Sequence, residues 1–169
     1  MIGRRTFFLA IVVTSLSPVA YAVDALPDAR FVGFAQTVNK FEIESGNLAL
    51  TKSQNELVRA YATRSVAEST ISVQNLERNR NEAGVTMAPE ENFQKMDDDA
   101  TARLNSLQGA EFDTAYAAAQ LSVQTAAVAQ FGAYSQDTNN SAPLRRYAQE
   151  VFPKSQALLE LAKQLSGSR

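Results

Sequence analysis

The stretch Phe31-Val32-Gly33-Phe34-Ala35-Gln36-Thr37-Val38-Asn39-Lys40-Phe41-Glu42-Ile43-Glu44-Ser45-Gly46-Asn47-Leu48 decides the fold class. Phe31, Phe34, Val38, Phe41, Ser45 and Leu48 recur at steps of three and four, which stacks their side chains on one face of an α-helix. The spacing predicts a helix over about 28–53. Asp28, behind Pro27, is its expected N-cap, a carboxylate accepting from the free N–H groups of the first turn. Gly33 and Gly46 each cost a helix roughly 1 kcal/mol relative to Ala. Their presence predicts close packing against a neighbour. Glu42 lies beside the buried stripe and Glu44 further round.

Towards the C-terminus three more long helical stretches follow, and no stretch reads as a strand. Over 55–83, Val58, Ala62, Ser65, Ser69, Ser72 and Leu76 share a face that Leu57, Tyr61 and Val73 widen. That face is polar for a core. Arg59, Arg64, Glu77, Arg78 and Arg80 mark the solvated side, and Gly84 suits a left-handed C-terminal cap. A loop over 85–89 leads to a shorter helical piece over about 90–107. The next long helix, 109–136, carries Glu111 and Asp113 in its first turn, where acids complement the helix dipole. Its stripe reads Phe112, Tyr116, Ala119, Val123, Ala126, Gln130 and Tyr134, with Phe131 adjacent. After the turn at 137–141, Ser141 and Pro143 supply an N-cap and an early proline. The last helix buries Leu144, Tyr147, Val151, Leu158 and Leu165, and Pro153 removes one of its backbone hydrogen bonds. The expected fold is all-α: an up-down antiparallel four-helix bundle with an extra short helix between helices 2 and 3, its core over about 28–165. A weak echo between 57–62 and 144–148 suggests a duplicated helical hairpin.

The N-terminus reads as a cleavable signal peptide over 1–22, leaving one helical domain over 23–169. Arg4 and Arg5 form a basic start, an apolar run follows over 6–16, and Ala20-Tyr21-Ala22 offers the small-x-small cleavage pattern. Cleavage between Ala22 and Val23 is expected, followed by a periplasmic location. The general secretory route is the favoured reading, although Arg4-Arg5-Thr6-Phe7-Phe8-Leu9 also fits a twin-arginine signal. The formal charge of −2 becomes two units more negative when Arg4 and Arg5 leave. No Lys/Arg cluster points to nucleic acid, and no stable membrane insertion is expected after cleavage. With no cysteine, stability in an oxidising compartment must come from packing.

Three stretches carry a family resemblance: Glu42-Ile43-Glu44-Ser45-Gly46-Asn47-Leu48-Ala49-Leu50, Tyr61-Ala62-Thr63-Arg64, and Leu107-Gln108-Gly109-Ala110-Glu111-Phe112-Asp113-Thr114-Ala115-Tyr116. In this order they resemble the exported bacterial family labelled domain of unknown function 4142, over roughly 31–165. The resemblance implies a ferritin-like fold and no particular activity. It also implies a histidine in each of the last three core helices, at the positions held here by Ser69, Gln124 and Leu158. An acid often beside the second falls at Val123. Glu42, Glu68 and Glu160 are the carboxylates retained near that scaffold's site.

The chain has no histidine. Di-iron bundles need two Glu-x-x-His pairs, and a serine triad needs a histidine base, so neither chemistry is available. Carboxylates alone could hold a hard ion, but the last-but-one helix offers no mid-helix acid to complete the set. Glu42 and Glu68 could form an acid–base pair; the favoured reading puts each at the edge of its stripe, reaching solvent or an arginine such as Arg64. Ser65, Ser69 and Ser72 could line a polar pocket with Gln124, or bond back to their own helix carbonyls. Asp97-Asp98-Asp99 reads as a solvated face, not a calcium loop. Lys40, Lys52, Lys95, Lys154 and Lys163 read as surface residues. The expectation is a non-catalytic protein with no cofactor, working on an unknown protein or small-molecule partner. Glu42, Glu68, Ser69 and Gln124 are its candidate polar core site. A ferritin-like metal or redox protein with a degenerate carboxylate site, or a small-molecule-sensing bundle, is the alternative.

Overall fold

The computed structural model describes residues 23–167. The expected leader over 1–22, with Ala22 at its cleavage point, lies outside the described residues, which begin at Val23. Five helices make up the described chain, which contains no strand: α1 (Asp28–Lys52), α2 (Glu56–Ala83), α3 (Glu91–Ser106), α4 (Gly109–Gln136) and α5 (Ala142–Gly167). Among these residues no helix is long and apolar enough to cross a membrane.

The helix ends follow local chemistry, with two corrections. Asn55 caps α2, its side-chain oxygen accepting from the amides of Leu57 (2.9 Å) and Val58 (3.4 Å). Gly84 closes α2 in the left-handed conformation at φ 65°. Ser141 takes the position before α5, its carbonyl accepting from the Arg145 amide at 3.0 Å, but its hydroxyl makes no capping hydrogen bond. Asp28 does not cap α1. Pro27 holds that position and Asp28 is the first helical residue. Its carboxylate turns outwards instead, accepting from the Tyr134 hydroxyl and, at 3.3 Å, from the Ser141 amide. It thereby ties the start of α1 to the end of α4 and the approach to α5.

Consecutive long helices pack as antiparallel hairpins, α1 on α2 and α4 on α5, and α2·α5 and α1·α4 contacts join the two hairpins. The pairings fix the directions. Phe31, early in α1, stacks on Tyr134, late in α4, with ring centroids 3.5 Å apart. Asn75, late in α2, donates to Glu150, early in α5, at 2.7 Å. Helices α2 and α4 therefore run the same way, and the chain must return the length of the molecule between them. Helix α3 makes that return beside α1: Phe93 meets Phe34 (4.6 Å), Asp97 meets Lys40 (3.4 Å), and Leu104 meets Lys52 (3.0 Å).

The two glycines of α1 mark the closest approaches. A Cβ on Gly33 would lie 2.0 Å from the Ala88 carbonyl oxygen, where the loop leading to α3 crosses α1. A Cβ on Gly46 would lie 2.5 Å from Val66 Cγ2 and 3.3 Å from the Ala62 carbonyl. At Gly33 the opposing atom is backbone and leaves no room for a side chain, whereas at Gly46 it is chiefly the end of a side chain.

The core is layered along α1. At one end Phe31, Phe131, Tyr134 and Tyr147 form an aromatic cluster, with Phe34 and Phe93 beside it. At the other, Tyr61, Tyr116 and Phe112 pack ring to ring. Between them sits a layer of buried polar residues: Asn39, Glu42, Ser65, Ser69, Gln120 and Gln124. Leu57 and Val73, expected to widen the inner face of α2, are 55% and 43% exposed. The serine face of α2 already fills the available contact, which leaves them outside. The hairpin echo is correspondingly shallow, since Leu57 is exposed where Leu144 is buried.

Candidate polar core site

Glu42 sits on the inner side of α1, one turn after Val38, and is 1% exposed. It reaches neither solvent nor an arginine, contrary to the sequence reading. A residue four positions from Val38 and three before Ser45 falls on the buried stripe itself, not at its edge. Gln124 Nε2 donates to Glu42 Oε1 at 2.9 Å. Burial pushes the Glu42 carboxyl up to about 7; hydrogen bonds from Gln124 and Ser65 pull it down, and the negative charge of Glu68 adds to the rise.

Glu68 conforms to expectation in part. Its Oε1 accepts from Arg64 Nε at 2.7 Å, a surface pair one turn apart, while its Oε2 is buried without a hydrogen-bond partner. Glu42, Glu68, Ser69 and Gln124 all line one cavity of about 30 Å³, with Leu158 and Lys154 on the α5 side. Ser69, Gln124 and Leu158, where the family resemblance implies histidines, thus converge in space. On the same measure a water needs roughly 10–15 Å³. The cavity has room for about two or three waters.

The serines divide. Ser65 Oγ returns to the Ala62 carbonyl at 3.3 Å, as expected of a mid-helix serine. Ser72 does not: its hydroxyl meets the Tyr147 hydroxyl at 2.8 Å, which also accepts from Asn39 Nδ2 at 3.2 Å. This chain links α2, α5 and α1. Burial drives the Tyr147 hydroxyl up to about 12 against the lowering effect of those two bonds.

Gln120 is the residue the sequence reading missed. The buried face of α4 runs through Tyr116, Gln120, Val123, Gln124, Ala127 and Phe131, so Ala119, Ala126 and Gln130 are only half-buried. One arm of the Gln120 amide lies 2.6 Å from Glu42 Oε1, 3.2 Å from Oε2 and 3.2 Å from the Tyr61 hydroxyl; the other lies 2.9 Å from Ser45 Oγ. The available signal was its spacing, one turn before Gln124. In an alanine-rich helix almost any face looks buriable, so periodicity alone could not orient it.

Three further expectations change. Asp97 is not solvated: it is 1% exposed and pairs with Lys40 at 3.4 Å, whereas Asp98 and Asp99 are exposed. Burial raises the Asp97 carboxyl against the opposing pull of Lys40. Lys52 is not a free surface lysine. Its ammonium donates to the carbonyls of Leu104 (3.0 Å), Asn105 (2.7 Å) and Leu107 (3.1 Å), closing the C-terminal end of α3. Glu160 stands away from the cavity, exposed and paired with Lys163 at 2.6 Å. Among the described residues, no three His, Cys, Asp or Glu side chains converge as metal donors.

Fold and site together define an all-helical protein whose core carries a polar layer around a water-sized cavity. The chain belongs to the family described as Domain of unknown function (DUF4142), which it matches over residues 15–165. No curated protein and no solved structure matches the chain.

Proposed function

We propose that this protein is an exported, periplasmic helical bundle that acts by binding a partner or supporting the cell envelope, not by catalysis. Its architecture is a four-helix bundle of α1, α2, α4 and α5 in ferritin-like arrangement, with α3 as the single long crossover that such bundles use. The basic start, apolar run and Ala20-Tyr21-Ala22 pattern support export.

The observation that carries the non-catalytic reading is the size of the polar cavity. At about 30 Å³ it admits water but no organic substrate, and Gln124 engages Glu42 beside it while Arg64 engages one oxygen of Glu68. Turnover assays on ester, peroxide and phosphate substrates test it. The expected result is no activity above buffer; activity lost in Glu42→Gln or Glu68→Gln overturns the reading. Glu42 and Glu68 sharing one cavity favours the carboxylate-site alternative, which elemental analysis of protein isolated from its own compartment decides. A stoichiometric metal there would replace the binding reading. N-terminal sequencing of the same preparation tests export, with Val23 the expected first residue.

A further inference from the structure

The contact between Glu42 and Gln120 has two self-consistent settings. With the Gln120 carbonyl towards Glu42, two oxygens stand 2.6 Å apart. That is the length of a strong O–H···O hydrogen bond and far too close for two acceptors. Glu42 must then be a carboxylic acid donating to Gln120. The Tyr61 hydroxyl donates to the same carbonyl at 3.2 Å, and Gln120 Nε2 donates to Ser45 at 2.9 Å. With the amide turned over, its NH₂ donates to an ionised Glu42, and its carbonyl accepts from the Ser45 hydroxyl at 2.9 Å. Tyr61 then accepts from the NH₂ at 3.2 Å. The run from Glu42 through Gln120 to Ser45 is satisfied in each setting, provided proton and amide move together.

We propose that Glu42 and Gln120 form a proton-coupled switch in the core, in which loss of the Glu42 proton turns over the Gln120 amide and reverses the hydrogen bonds to Ser45 and Tyr61. The proton leaves through the cavity beside Glu42, whose wall includes the partly exposed Glu68 and Lys154. The charged and titratable groups around Glu42 are few. Helix α2 presents Tyr61, Glu68 and the Arg64 that pairs with it; α4 presents Tyr116; α5 presents Lys154, held by Glu150 at 2.9 Å. Helix α3 presents Asp97, engaged by Lys40 on another face of α1. Burial pushes Tyr61 and Tyr116 well above their ordinary range, so both stay neutral while Glu42 titrates near 7. The switch therefore works between the ordinary carboxylate range and mild alkali.

Nuclear magnetic resonance on the purified protein tests this, following the Glu42 carboxyl carbon and the Gln120 side-chain amide from pH 4.5 to 9. The expected result is one shared midpoint near 7 for both signals. Glu68→Gln should move that midpoint down, by removing a neighbouring negative charge. In Glu42→Gln the Gln120 signal should stop responding over this range. A Glu42 carbon that titrates near 4.5, or a Gln120 amide that stays still while Glu42 titrates, overturns the proposal. If either variant fails to fold, the two wild-type signals decide the matter.

Discussion

The aromatic end of the core at Phe31 and its polar middle at Glu42 lie about three helical turns apart on α1, yet opposite terms hold them. Around Phe31 the rings of Phe131, Tyr134 and Tyr147 bury apolar area, and the one polar tip directed outwards, that of Tyr134, finds Asp28. Such packing is insensitive to pH and salt. Around Glu42 the core holds an ionisable group, two glutamines and a water-sized cavity. Each buried polar atom there costs stability unless its partner is present. The first region stabilises the fold; the second specifies how α1, α2 and α4 register against one another.

Phe31→Ala is expected to have the largest effect, a loss of about 3–5 kcal/mol as for other fully buried phenylalanines. Urea unfolding should give nearly the same loss at pH 5 and pH 8.5. A strong pH dependence of that loss would break the contrast between the regions.

The second effect belongs to Glu42. Its carboxyl in the folded protein, near 7, lies above the unfolded value of 4.5. The neutral acid is therefore favoured in the folded state. Stability is fully present below about pH 4.5, falls as pH rises through 7, and levels off about 3 kcal/mol lower. Glu42→Gln keeps the shape of the neutral acid and should flatten this slope between pH 5 and 8.5. An undiminished slope would assign it to another group.

The glycines sharpen the comparison at the level of backbone. Gly33→Ala, at the aromatic end, drives a Cβ into a backbone carbonyl that cannot rotate away, and should cost about 1–3 kcal/mol. Gly46→Ala, at the polar middle, meets chiefly the end of the Val66 side chain. Rotation of Val66, with roughly 1 kcal/mol gained in helix propensity, should hold the net change within about 1 kcal/mol. Thermal unfolding of the two variants ranks them; the reverse order would mean that α1 and α2 are the tighter contact. Arg64→Ala should matter least, below about 1 kcal/mol, because it breaks a surface ion pair. A larger loss would show that Glu68 is tied into the buried layer.

Much of the fold was legible because it rests on local chemistry. The stripe of α1, the Gly84 cap and the start of α4 at Gly109 follow from spacing and from residues with few conformational options. Gly33 and Gly46 announced their close contacts by being poor helix formers in otherwise good helices. The site was legible in membership but not in roles. Glu42, Glu68, Ser69 and Gln124 do share a cavity, yet the carboxylate on α2 meets solvent and the one on α1 does not. Asp97 shows the same limit: three adjacent aspartates look alike in sequence, and only the side of α3 pressed on α1 buries one of them.

By itself the sequence determined that the chain is helical, where its helices begin and end, and that histidine and cysteine chemistry are absent. These follow from composition and from interactions within a turn or two. Tertiary structure alone decided that Glu42 is buried, that Gln120 faces it at hydrogen-bond distance, and that the space between the helices is the size of water. Those properties depend on the rotation of each helix about its axis. In α4, where alanines surround the helix, rotation is set by the neighbours and not by the pattern.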